Sequence, residues 1–481
     1  MRGTVVRIGD IADGVVRGVE GLSASVSETF MEPVIRLGVT GLSRAGKTVF
    51  ITSLVANLME RGRMPQLRAA ASGAITAAYL QPQPDNTVPR FDFETHLAAL
   101  TGRDPHWPES TRAVSELRLS LKVRPGGFGG LLGAVTGPRT VHLDIVDYPG
   151  EWLLDLALLD KSYAVWSADT LTRMQERPGA ETFQALLART DPAARLDEPV
   201  AQGLAGAFTA YLQAARLAGF SDCTPGRFLL PGDLAGSPVL TFAPLPAPGA
   251  ATPRGSLWRE MERRYEAYKA EVVKPFFREH FARIDRQVVL VDALGAIHAG
   301  PRAVEDLRRA MTEILGAYRP GRNAWLTSLF MGRRVEKILF AATKADHLHH
   351  TQHGRLTAIM QALMRDARRR ADFAGAETAA MAIAALRATV EETRPHGGET
   401  LECVRGTLLE TGRQAALYPG ELPEDPALLL DPARDGAAEW LEAEYNLMHF
   451  APAQLTLKPG EGPPHIRLDK AAEFLLGDRL R

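Results

Sequence analysis

The octapeptide Gly41-Leu42-Ser43-Arg44-Ala45-Gly46-Lys47-Thr48 matches the pattern G-x-x-x-x-G-K-[ST] at each fixed position. Its glycines let the backbone wrap so that successive N–H groups point at a β-phosphate. Lys47 then reaches the β- and γ-phosphates, and the Thr48 hydroxyl ligates Mg²⁺. With 43 glycines among 481 residues, a chance match somewhere in the chain is on the order of one per cent. The flanks restrict the reading further. Val34 to Val39 is a short β-branched apolar run that reads as a buried strand, and Val49 to Arg61 puts Phe50, Leu54 and Leu58 on one helical face. Strand, glycine loop and helix hold an anion at a helix N-terminus. Gly41, Ser43, Arg44, Ala45, Gly46, Lys47, Thr48 and Val49 are the predicted phosphate-binding set.

A second element follows in Val141-His142-Leu143-Asp144-Ile145-Val146-Asp147-Tyr148-Pro149-Gly150. An aspartate closing a buried strand is where such a fold places the acid that holds Mg²⁺, which assigns Asp147. Gly150 completes D-x-x-G, whose glycine N–H senses a γ-phosphate and makes hydrolysis a conformational switch. Asp144 falls on the opposite face of the strand and reads as structural. A third strand ends in Thr343-Lys344-Ala345-Asp346, the pattern [NT]-K-x-D. One carboxylate there can accept from both guanine donors, N1–H and the exocyclic amine, while the lysine stem stacks on the ring; adenine lacks that donor pair. His347 follows directly, and Ile383 to Thr389, with Ala388, occupies the position of the loop that contacts the guanine oxygen, an assignment by order alone. Thr343, Lys344, Asp346, His347 and Ala388 are thus the predicted guanine-binding residues.

Completing the Mg²⁺ shell needs a hydroxyl before the strand at Ser115; Thr111 is the first choice and Ser110 the second, although an N-cap explains either equally well. Glu151 stands where a water-orienting Gln often follows the D-x-x-G glycine. Its carboxylate either acts on the attacking water or slows hydrolysis. Arg112 and Arg44 are the candidate arginines in cis. His347, His349, His350 and His353 crowd after the base motif and read as a helix-start surface rather than a metal site.

The length suggests two or three domains, or one with a large insertion. Residues 1–33 carry a weak helical stripe, read as packed on the body. Residues 34–150 form the first half of an α/β core, 151–285 a Leu/Ala/Arg/Glu-rich helical insertion, 286–400 the second half, and 401–481 a C-terminal extension packed on the core. Gly62 to Ser110 reads as a long connection with little periodicity, and Gly126 to Gly133 as a hairpin loop. Leu257 to Ile284 reads as one charged helix. Gly321 to Arg334 mixes aromatics with arginines and reads as a packed connector, with membrane contact the other reading. The fold class is α/β: a P-loop NTPase of GTPase type, with a mostly parallel sheet flanked by helices and a large α-helical insertion.

A net charge of −1 gives no reason to expect nucleic acid. Cys223 and Cys403 lack metal-ligand spacing and fit a reducing compartment. With no run near the roughly 20 apolar residues of a membrane span, the expected location is cytoplasmic, or peripheral on the inner membrane.

Four blocks carry a family resemblance: Val39 to Leu54, Leu80-Gln81-Pro82-Gln83-Pro84, Asp147 to Leu154, and Ala341 to His347. Together they resemble the YcjX-like family of bacterial P-loop proteins over nearly the whole chain. The resemblance implies a GTPase core with a helical insertion and an association with the phage-shock envelope-stress response; GTP/GDP and Mg²⁺ are the ligands that the motifs predict. An unidentified protein partner is expected as well, for which the helical insertion is the candidate surface. An ATPase on the same fold and a nucleotide-stabilised scaffold at the membrane are the rival readings.

Overall fold

The computed structural model describes residues 32–481 apart from 43–44, 110–112, 125–137, 250–252, 281–282, 318–334, 371–375 and 441–444. Several expectations therefore lie outside the described residues: the helical stripe before residue 32, Ser43 and Arg44, Ser110, Thr111 and Arg112, the loop at 126–133, and the segment 321–334.

The sequence begins its described part with β1 (Val34–Gly41), followed by helix α1 (Lys47–Glu60). β2 (Ile75–Gln81), α2 (Phe93–Thr101), β3 (Ser115–Val123) and β4 (Arg139–Asp147) complete the first half. After the insertion come β5 (Arg286–Val291), β6 (Lys337–Ala342) and β7 (Glu377–Ala382), in a seven-stranded sheet of order β2-β3-β4-β1-β5-β6-β7. β4, β1, β5, β6 and β7 run parallel, while β3 is antiparallel to β4 and β2 to β3. The chain order reverses at β1, so the loop after β1 opens at the switch point where open α/β sheets bind ligands.

Period-two alternation divides the strand residues between two cores. Leu37, Val39, Val288, Leu290, Leu339 and Ala341 join the cluster that α1 packs on. Val289, Val291, Ile338 and Phe340 face the other way.

The stretch from Gly62 to Ser110 is more ordered than its sequence predicts, since it holds both β2 and α2. β2 is an edge strand with only Ile75 buried, and its pairing with β3 rather than an apolar pattern makes it a strand. α2 begins at Asp92, whose carboxylate accepts from the Thr95 N–H.

Among the described residues between β4 and β5 the regular structure is all helical. α3 (Gly150–Leu154), α4 (Tyr163–Met174), α5 (Glu181–Leu187) and α6 (Glu198–Leu217) precede α7 (Leu257–Ala267), which continues through a π-helical turn, Tyr268–Val273, to Lys274–Glu279. Pro275 cannot donate to the carbonyl four residues back, a physical reason for the widened turn. Trp166 stacks on Tyr265 at 5.0 Å and meets Phe208 and Phe242 edge-on. This apolar cluster is continuous with Val289, Phe340 and Leu307, so insertion and sheet share one core.

After β5 come α8 (Ala293–Ala299) and α9 (Pro301–Ala317), and after β6 comes α10 (His353–Arg370). The C-terminal part adds a three-stranded antiparallel sheet, β8 (Val390–His396), β9 (Glu399–Thr407) and β10 (Gln414–Leu417), then α11 (Ala427–Arg434) and α12 (Leu468–Leu476). α12 buries Leu468, Ala471, Ala472, Leu475 and Leu476 on the α1 side, and the Asn57 amide of α1 donates to the Pro463 carbonyl at 3.0 Å.

Candidate nucleotide site

The phosphate side starts at Gly46, which has φ 73°, a left-handed conformation that glycine adopts without steric cost. Helix α1 starts immediately after it, with Lys47, so its N-terminus stands at the end of the loop that follows β1. Thr48 is 6% exposed and Asp147 fully buried. Lys47 Nζ lies 2.6 Å from Asp147 Oδ1, whereas Asp147 Oδ2 is buried with no hydrogen-bond partner. A buried carboxylate with one unmet oxygen beside a hydroxyl and an ammonium is a donor set suited to a hard divalent cation and a phosphate.

Gly150 closes the other wall. A Cβ there would lie 2.1 Å from the Gly41 carbonyl oxygen and 3.1 Å from the Leu42 nitrogen. Only a residue without a side chain lets the backbone after β4 touch the loop after β1.

Beyond Gly150 the chain goes straight into the insertion's interior. Trp152, Leu153, Leu154, Leu156 and Leu158 are all buried, with the Arg227 guanidinium 3.2 Å over the Trp152 ring. Glu151 is 6% exposed, and its Oε1 pairs with Arg216 of α6 at 3.0 Å. In this conformation the insertion holds the Glu151 carboxylate through Arg216. Asp155, buried among Tyr268 and the Gly226 N–H, has its pKa pushed by burial up to about 7. Asp144 is structural as expected: Arg118 grips it through Nε at 2.6 Å and Nη2 at 2.8 Å.

On the base side, the Thr343 N–H donates to the Val291 carbonyl at 2.9 Å and anchors the turn after β6 to β5. Lys344 takes a left-handed conformation, φ 61°, and pairs with Asp292. Asp346 is buried, and its Oδ2 accepts from the Ala388 N–H at 2.9 Å. The Thr389 hydroxyl donates to the Asp346 carbonyl. The T-K-x-D turn and the loop assigned to the base by order alone thus meet in space. His347 is buried, which lowers its pKa, and its ring meets Phe450 edge-on at 5.3 Å.

Sequence reasoning missed several members of this neighbourhood. The post-β6 histidines are not a helix-start surface: His347, His349 and His353 are buried. His353 Nε2 lies 2.7 Å from the Ala345 carbonyl and pins the base turn from inside. Asp292 and Arg216 were invisible because each belongs to an element remote in sequence. Trp107 was passed over too. Its indole N–H donates to the Phe450 carbonyl at 2.7 Å, and it joins a small apolar cluster with Ala388 and Phe450.

A phosphate-binding loop at the switch point of a mostly parallel sheet defines a P-loop α/β protein. Within that class the model of the YcjX-like family, DUF463, matches residues 35–480, and the chain belongs to this family. It is 38% identical over 464 residues to a protein of Escherichia coli strain K12 named Ras-like GTPase YcjX, covering 93% of this chain and 96% of that one. A Shewanella oneidensis protein of the same name is 36% identical over 470 residues, with 93% and 94% covered.

Proposed function

We propose that this chain is a Mg²⁺-dependent GTPase that hydrolyses GTP to GDP and phosphate as a slow molecular switch. The observation that carries the reading is the hydrogen bond between Asp346 and the Ala388 amide, which joins the two groups suited to guanine. The names of the two relatives support the same activity. Asp346 accepts from guanine N1–H and the exocyclic amine, and the Lys344 stem, steadied by Asp292, lies along the ring. Lys47 leaves Asp147 for the phosphates and, with the loop amides, stabilises charge as water attacks the γ-phosphorus. Thr48, Thr111 and Asp147 would hold Mg²⁺, which would supply charge neutralisation for the transferring phosphoryl group. Gly150 carries loss of the γ-phosphate into the Glu151–Leu158 segment and so into the insertion, where a protein partner would read it. Turnover is slow because no Gln follows Gly150 and Glu151 is engaged by Arg216. We place the switch in the envelope-stress response, on the family resemblance, with peripheral membrane contact; no described helix is long and apolar enough to cross a membrane.

The test is equilibrium binding of fluorescent GDP, ADP and xanthosine diphosphate to the wild type and Asp346→Asn. GDP preference that changes to xanthine in the variant supports the reading. ADP binding as tight as GDP, and indifferent to the variant, overturns it in favour of an ATPase.

A further inference from the structure

Three residues after Asp346, two adjacent histidines converge on a glutamate from the strand that follows the Ala388 loop. His350 Nδ1 is 2.6 Å and His349 Nε2 3.8 Å from the same oxygen, Glu391 Oε2. Among the described residues this is a set of three imidazole and carboxylate ligands whose atoms all lie within 4.8 Å of one another. A tetrahedral ion with ligands at about 2.0–2.1 Å sets them roughly 3.3 Å apart, between the two distances observed.

The surroundings orient these ligands. His349 Nδ1 is taken by the Thr351 hydroxyl at 3.0 Å and lies 3.4 Å from Glu402 Oε2, which leaves Nε2 facing Glu391. A carboxylate on the far nitrogen of a histidine is the usual outer shell of a metal ligand, because it fixes the tautomer and raises basicity. Arg387 holds the other Glu391 oxygen, Oε1, at 3.2 Å. His349 is buried and Glu391 partly so, whereas His350 is exposed and open to an incoming ion.

We propose that His349, His350 and Glu391 form a site for a borderline divalent transition metal of the Zn²⁺ type, with water in the fourth position. Two imidazoles and one carboxylate select such ions over Mg²⁺, which prefers an all-oxygen octahedron. The site ties together the two loops that meet at Asp346, since the histidines follow one and Glu391 follows the other. A bound ion therefore slows guanine-nucleotide release. That last effect rests on the proposed function; the metal site does not.

The experiment titrates the nucleotide-free full chain with Co²⁺ as a visible probe, in excess Mg²⁺ so that hard oxygen sites are filled. One equivalent with a tetrahedral d–d band, displaced by Zn²⁺, is expected. His350→Ala/Glu391→Gln should lose the band, and Glu402→Gln should keep it with affinity about tenfold weaker. Absence of the band in the wild type, or its persistence in the double variant, overturns the site. The second arm follows GDP release with and without Zn²⁺. Slower release in the wild type alone supports the clamp, and unchanged release overturns it while the metal titration stands on its own reading.

Discussion

Gly150→Ala adds a single carbon where the structure has no room for one. The new Cβ would sit 2.1 Å from the Gly41 oxygen, against 3.4 Å for ordinary contact, so one backbone must retreat by the difference, 1.3 Å. Neither obstacle is a flexible side-chain end: the Gly41 carbonyl and the Leu42 nitrogen are both backbone at the junction of β1 and the loop that follows it. Overpacking of this kind costs about 1–3 kcal/mol of stability. A misplacement near 1 Å at a reacting group costs roughly 10²-fold in rate. Single-turnover GTP hydrolysis at saturating nucleotide reads the second effect, and thermal unfolding reads the first. The expected result is a folded variant whose hydrolysis falls about 10²-fold, with a smaller loss of GDP affinity, because GDP lacks the γ-phosphate that the proposed function assigns to Gly150. A folded variant hydrolysing within about threefold of the wild type would refute the reasoning, since the loop would then tolerate the displacement.

Lys47→Ala removes a charge-assisted phosphate contact and should weaken GTP binding roughly ten- to hundredfold, measured by nucleotide titration. Glu151→Gln should keep single-turnover hydrolysis within about threefold, because the carboxylate is spent on Arg216; a loss near 10²-fold would show that it swings to the water. Asp155 supplies a pH dependence. Its folded pKa of about 7 lies above the 3.8 of an ordinary aspartate, so the folded state binds the extra proton between those limits. Stability therefore falls as pH rises through that window, by up to roughly 1.4 kcal/mol per unit, and levels off above it. Asp155→Asn should remove this component, so unfolding temperatures compared at pH 5 and pH 8 should fall less in the variant.

The local geometry of the candidate phosphate and base elements was legible because each is a short block whose spacing sets its backbone. Gly46, Lys47 and Thr48 are consecutive residues at a strand-to-helix turn, and β6 ends at Ala342 as its apolar run predicts. Asp144 and Asp147 separate by strand period alone, and Arg118 takes the first while Lys47 takes the second. Legibility ended where a residue's role depends on a partner far along the chain. Glu151 reads as a catalytic carboxylate until α6 brings Arg216 to it. β2 shows no apolar pattern because an edge strand is defined by its neighbour's hydrogen bonds. His349 looks like surface until β8 and β9 deliver Glu391 and Glu402. The sequence by itself determined which chemical groups this protein carries and the local backbone that presents them. The tertiary structure decided which charges are paired, which histidines are buried, and that insertion and sheet share one core, because burial and ion pairing depend on distances between elements rather than on spacing within one.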